Sequence, residues 1–217
     1  MAAVLGAEDR AHAAEIMARY PKGRERAAII PLLYLVQSVE GHVTRDGLRD
    51  VAELLGTTTA EVEAVASFYT MFRLRPTGEH LVNVCTNLSC ALVGARDVLQ
   101  AAHDATGITP GGAVSDDQMF TVHEEECLGA CDAAPVVQVD FVNHDKVSPE
   151  RMREIVERLR NGEVPEPARG VAPTDFKHAS RILAGIDGGY GGPTSEAQGA
   201  TKDEVVQPSG GPPAGEE

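Results

Sequence analysis

The chain has 217 residues, 42% of them apolar and 4% aromatic, with 33 Asp and Glu against 19 Lys and Arg for a formal net charge of −14. That length allows one ordinary domain or two small ones, and the apolar share is enough to build a core. So acidic a chain argues against partners held through basic patches, which rules against nucleic acid and an anionic membrane surface.

Residues 1–20 lack the basic start and long apolar run of a signal peptide. The segment AEDRAHAAEIMARY reads as a first helix ending at Tyr20-Pro21. RERAAIIPLLYLVQSVEG follows, with Ile29, Leu32, Leu33 and Val36 at helical spacing and a stop at Gly41. Pro31 should start the main helix or kink it. The apolar stretch AAIIPLLYLV inside it is about ten residues long and too short to span a bilayer. A cytoplasmic location is expected, with no direct membrane insertion. Thr44 then begins TRDGLRDVAELLG, closed by Gly56. Thr58 and Glu61 have capping-box spacing before a helix whose expected apolar face is Val62, Val65, Phe68, Tyr69 and Phe72. The same region, VAELLGTTTAEVEAVASF, scans like a helix-turn-helix. A recognition helix beginning AEVEA offers no Arg, Lys or Asn to base edges or phosphates, so a packed hairpin is expected instead.

The pattern changes at Pro76-Thr77-Gly78. HLVNV (residues 80–84) reads as a strand, and SCALVGARDVLQAAHDATG as one helix ending at Gly107. MFTVHE (119–124) and VVQVDF (136–141) read as two more strands. Ser148 and Pro149 open a helix, SPERMREIVERLRNG, whose face is Met152, Ile155, Val156 and Leu159. Residues 79–162 therefore give β-α-β-β-α, a small α/β layer beside a helical bundle. After Gly162 the composition turns to Gly, Pro, Ser and acidic residues, and the tail is expected to be mostly disordered. Within it, DFKHASRILAGI (175–186) could form a short amphipathic helix, but composition favours its staying disordered on its own. The expected division is a helical bundle over 1–76, the α/β domain over 77–163 and the tail over 164–217.

The four cysteines come as two close pairs, Cys85 and Cys90 in CTNLSC, Cys127 and Cys131 in CLGAC. A reducing cytoplasm and a chain large enough for a core both weigh against disulfides. Neither pair has the Cys-x-x-Cys spacing of a thioredoxin-type redox site. Structural zinc accepts four thiolates but more often spaces its knuckles by two residues. An iron–sulfur cluster also takes four thiolates, and a [2Fe-2S] rhomb, longer than one ion, suits wider loops. Spacing alone leaves iron–sulfur and zinc open. Gly129 would let backbone approach sulfur, and Pro135 would stiffen the exit into the next strand.

The segment DDQMFTVHEEECLGACDAAP, with CTNLSC upstream, resembles the signature of the 24-kDa subunit family of NADH:quinone oxidoreductase, respiratory complex I. YPKGRERAAIIPLLYLVQSVEG and VASFYTMF resemble that family's helical N-terminal part, and the likeness covers about residues 15–160. The resemblance implies a thioredoxin-like [2Fe-2S] ferredoxin domain, α/β in class, preceded by a helical bundle. It implies one [2Fe-2S] cluster with Cys85, Cys90, Cys127 and Cys131 as its metal ligands. It also implies an electron-transfer subunit beside a larger neighbour that holds FMN and the NADH site, peripheral to the inner (plasma) membrane in a membrane-bound, proton-translocating complex. A soluble NAD-linked hydrogenase or formate dehydrogenase uses a closely similar subunit. A zinc-stapled interaction module without redox activity is the remoter alternative. The long Gly/Pro-rich tail departs from the family pattern.

The residues agree with a carrier that needs partners. NADH gives up two electrons as hydride while one cluster accepts one, so a flavin has to mediate. The chain has no P-loop and no GxGxxG after a strand, and Gly188, Gly189, Gly191 and Gly192 lack the strand–helix setting of such a motif. Glu124, Glu125 and Glu126 run into Cys127, and strand alternation should turn only part of this triplet inward. A carboxylate ~8 Å from the cluster at an effective dielectric of ~20 would oppose an added electron by roughly 2 kcal/mol. A low midpoint potential follows as the expectation. His80 and His123 lie near the cysteine loops, but with four thiols at hand the histidines are expected to be spare surface residues. Tyr69 and Phe72, at helical spacing, are expected to pack in a core or an interface rather than to form a cofactor platform.

Overall fold

Helices α1 (Ala7–Ala18), α2 (Ile29–Glu40), α3 (Arg45–Leu55) and α4 (Thr59–Phe68) occupy the first third of the chain. A computed structural model describes residues 3–109, 114–168 and 170–187. The hydroxyl caps act where the sequence places them: Thr44 accepts from the Gly47 N–H, and Thr58 and Glu61 close a reciprocal capping box. Each such cap is worth about 1 kcal/mol. Pro31 sits in the first turn of α2, where a missing N–H costs no intrahelical bond.

Two local expectations change. α4 stops at Phe68, and Tyr69 is extended at φ −94°, ψ 117°. The face is therefore carried inward by Val62, Ala66 and, past the break, Phe72, while Phe68 is 77% and Tyr69 45% exposed. The second change concerns α2, in which every residue from Leu32 to Ser38 is buried. A helix that is apolar all round needs cover on every side, and α8 (Phe176–Ala184) supplies the last of it by packing along α2. Phe176, Ala179, Ser180 and Ala184 are its buried residues, and Asp175 caps it by accepting from the His178 N–H. Lys177 Nζ donates to the Val39 carbonyl at 2.8 Å, and Gln37 Nε2 to Ser180 Oγ at 3.2 Å. So the island at 175–186, expected from composition to stay disordered on its own, is instead ordered, because it covers α2. The rest of the tail, residues 188–217 with its glycine cluster, lies outside the described residues.

Beyond Gly78 the chain builds β1 (His80–Cys85), α5 (Leu88–Leu92), α6 (Ala95–Thr106), β2 (Phe120–Glu125), β3 (Val137–Val139), β4 (Val142–His144) and α7 (Pro149–Arg160). The four strands form one sheet in the order β2-β1-β3-β4, with β1 parallel to β2 and the other two pairings antiparallel. The single helix expected after β1 is two, because Gly94 turns left-handed at φ 95° between α5 and α6. The single strand expected at 136–141 is a hairpin. Asp140 and Phe141 both take positive φ, 48° and 68°, which is the two-residue turn that suits twisted antiparallel strands. Asp140 is held there by accepting from the Leu81 N–H at 2.8 Å and pairing with His80 Nδ1 at 2.7 Å.

One face of the sheet carries Val82, Val84, Phe120, Val122, Val137 and Val139 in a core completed by α6 and by Met152, Ile155, Val156 and Leu159 of α7. The helices α1 to α4 and the end of α8 share a separate core.

Candidate metal centre

Cys85 ends β1, one residue later than the strand expected, and Cys90 is the third residue of α5. Cys127 follows β2 by two residues, and Cys131 opens a short 3-10 turn, Cys131–Ala133. Because β1 and β2 run parallel, with Cys85 opposite Glu125, both loops leave the same end of the sheet. Backbone bonds tie them together: the Cys85 N–H donates to the Val136 carbonyl and the Thr86 N–H to the Glu125 carbonyl, each at 3.1 Å.

Cys85 and Cys90 are buried in a small shell with Ala95, Ala130, Ala133 and Val136, while Cys127 and Cys131 are exposed. All four are free thiols. The Gly129 N–H donates to Cys127 Sγ at 3.4 Å, and Gly129 takes the left-handed φ of +73° that this tight return requires. The Cys85 thiol faces the Glu126 carbonyl at 4.0 Å. Burial pushes the Cys90 thiol up, and the nearby Cys85 and Cys131 push it further, against a bond to Val136. Thiolates gathered here need compensating positive charge, which a metal centre supplies. Among the described residues, no three His, Cys, Asp or Glu side chains converge as a single-ion site. The donors are instead two pairs, one dry and one facing solvent. Soft sulfur donors, a backbone N–H aimed at sulfur and an apolar shell fit an iron–sulfur cluster.

The acidic triplet splits as strand alternation requires. Glu124 is exposed and accepts from Thr86 Oγ1 at 2.6 Å, whereas Glu125 is half-buried and pairs with Arg73 at 3.3 Å. Two histidines expected at the surface are buried. Burial alone would lower the His80 imidazole, but the bond and charge of Asp140 outweigh it and raise it. His144 has its imidazole pushed down to about 4, first by burial and then by Arg151. His123 is half-buried on β2. A cleft of about 880 Å³ lies along the β2 edge, between residues 66–77 and α6, and its lining includes none of the cysteines. Arg73, which the sequence did not single out, lines this cleft and reaches strand side chains by donating to Asn83 and pairing with Glu125. Its signal was faint: one basic residue between Phe72 and Leu74.

The profile of the thioredoxin-like [2Fe-2S] ferredoxin family matches residues 13–160. The chain belongs to that family. Among its curated relatives, an NADH-quinone oxidoreductase subunit of Mycobacterium bovis is 46% identical over 186 residues, covering 83% of this chain and 73% of that protein. The NADH-quinone oxidoreductase subunit 2 of Thermus thermophilus is 41% identical over 149 residues, covering 68% and 82%. Among solved structures, an air-oxidised NAD+-reducing [NiFe]-hydrogenase superposes with a TM-score of 0.55 at 19% identity, over 61% of this chain and 23% of the much longer hydrogenase chain. That likeness is one of fold.

Proposed function

We propose that the chain is the electron-transfer subunit of an NADH-quinone oxidoreductase, with one [2Fe-2S] cluster held by Cys85, Cys90, Cys127 and Cys131. The observation that carries the ligand set is the meeting of two distant cysteine loops at one end of the sheet with all four thiols free. When bound, the cluster supplies one-electron storage and release. The chain supplies the rest. Ala95, Ala130, Ala133 and Val136 keep water from the Cys85–Cys90 side. The Gly129 N–H offsets negative charge on sulfur. Arg73 neutralises the one carboxylate of the triplet that turns inward.

FMN and the NADH site belong to a partner subunit, so the chain alone is an electron carrier rather than a dehydrogenase. Its partners are that flavin subunit and other peripheral-arm subunits. The exposed Cys127 and Cys131 give the flavin subunit an approach, and α5 presents Leu88 and Leu92 at 70% and 78% exposure. The names of the relatives support a peripheral place on the cytoplasmic face of a membrane-bound complex; no helix among the described residues is long and apolar enough to cross a membrane. The relatives' names favour this complex over a soluble hydrogenase.

Anaerobic purification should yield a brown protein with about two iron and two sulfide per chain, the stoichiometry of the cluster. Each single Cys→Ser change should bleach it or alter its EPR spectrum. Colourless protein carrying zinc would overturn the reading.

A further inference from the structure

The face of the sheet turned away from α6 and α7 carries a row of amides. The register sets Asn83 of β1 opposite Gln138 of β3, and Gln138 opposite Asn143 of β4. Each bonds the next. Arg73 Nη2 donates to Asn83 Oδ1 at 3.2 Å, Asn83 Nδ2 to Gln138 Oε1 at 3.1 Å, and Gln138 Nε2 to Asn143 Oδ1 at 3.1 Å. Asn143 Nδ2 then donates to the Leu128 carbonyl at 3.4 Å. Leu128 lies between Cys127 and Gly129, inside the second cysteine loop.

The two ends fix the sense of the whole row. Amide oxygen and nitrogen are alike in shape, so partners decide which way each side chain turns. A guanidinium only donates, so Asn83 presents its oxygen to Arg73. A backbone carbonyl only accepts, so Asn143 presents its nitrogen to Leu128. The bonds between them then have one arrangement left, and three amide dipoles run head to tail from a cation to the cysteine loop. Arg73 is itself held. Its backbone N–H donates to Gln37 Oε1 at 2.8 Å, its guanidinium pairs with Glu125, and its side chain is 14% exposed. Gln37 in turn bonds Ser180 of α8. The row therefore begins in the helical core and ends beside sulfur.

We infer that Arg73, Asn83, Gln138 and Asn143 are positioning residues for the second cysteine loop, and that through the Leu128 carbonyl they set how readily the centre accepts an electron. The second half rests on the reading that Cys127 and Cys131 hold the cluster. A carbonyl engaged by a donor presents less negative potential to its surroundings, and the row turns the positive ends of its amide dipoles toward the cysteine loop, anchored at an Arg73 whose own charge is matched by Glu125. Both favour the reduced state. Losing either end of the row disfavours it.

The test is an EPR-monitored redox titration of the full chain with its cluster, as wild type, Arg73→Gln, Asn143→Leu and the double variant. Arg73→Gln removes the donor end of the row and also leaves Glu125 without its cation; it should lower the reduced-to-oxidised ratio at fixed potential about tenfold, a midpoint about 59 mV more negative for one electron. Asn143→Leu removes no charge and should move the midpoint the same way by less. In the double variant the shifts should fall short of their sum, because each single change already breaks the row. Wild-type midpoints in variants that retain iron and sulfide would overturn the inference, as would strictly additive shifts. Asn143 is on the edge strand, so Asn143→Leu decides the matter if Arg73→Gln fails to fold. Amide exchange at residues 128–130 should also quicken about tenfold in Asn143→Leu, even in metal-free chain, in line with the loss of a loop's anchoring bond. Unchanged exchange there sinks the positioning role. A wild type without iron and sulfide would instead sink the cluster reading, and the exchange measurement would still decide the row.

Discussion

Glu124 and Glu125 are neighbours of identical chemistry with different surroundings, because successive strand residues face opposite ways. Glu124 meets a hydroxyl at the surface; Glu125 turns inward and meets a guanidinium. The resistance that an inward carboxylate offers to an added electron is thus that of a pair, not of a bare charge. His144 shows the same dependence on placement. Burial, and then Arg151, push its folded imidazole down to about 4 from an ordinary value of 6.5. The unfolded chain therefore takes up a proton first as pH falls, and stability present above about pH 6.5 drains away toward pH 4. Across that window the loss attributable to His144 is about 3 kcal/mol, at 1.36 kcal/mol per unit. Urea unfolding from pH 4.5 to 7.5 should show a flatter stability profile for His144→Gln than for wild type. Parallel profiles would mean that His144 is not the titrating group.

At the scale of elements, α8 is the piece whose state depends on another piece. Alone, nine residues from Phe176 to Ala184 are too few to sustain a helix in water. Lying along α2, they bury Phe176, whose ring meets Phe141 of the hairpin turn at 5.3 Å. Truncating Phe176→Ala should cost about 3–5 kcal/mol in urea unfolding, as for other fully buried aromatics. Lys177→Ala, which loses one exposed bond to the Val39 carbonyl, should stay within about 1 kcal/mol. Equal, small effects from both would show that α8 is not seated on the rest of the molecule. The β3–β4 hairpin is a parallel case. Its turn uses Asp-Phe where Asn-Gly is the usual signal, so it passes for one continuous strand until Leu81 and His80 are seen to grip Asp140.

The whole molecule sets two apolar cores side by side, with the sulfur-bearing loops at one end of the sheet. The sequence carries no P-loop and no strand-set GxGxxG for a nicotinamide or flavin nucleotide, and hydride chemistry has no acceptor on a one-electron centre. NADH added anaerobically to the isolated chain should leave its cluster oxidised, and adding the flavin-bearing partner subunit should bring up the EPR signal of the reduced form. Direct reduction by NADH alone would refute the division of labour.

The sequence by itself was sufficient for the local decisions: caps at Thr44, Thr58 and Ser148, stops at Gly41 and Gly56, the inward face of α7, and the two cysteine pairs. These follow from the chemistry of residues a few positions apart, which the chain cannot evade. Only the tertiary structure decided which apolar residues of α4 are used, whether 176–184 is ordered, and that Arg73 and three amides form one row reaching the Leu128 carbonyl. Those outcomes are set largely by partners distant in the chain, as with Gln37 and Ser180, 143 apart, and hydrogen bonds and burial between such groups leave no periodicity in the sequence.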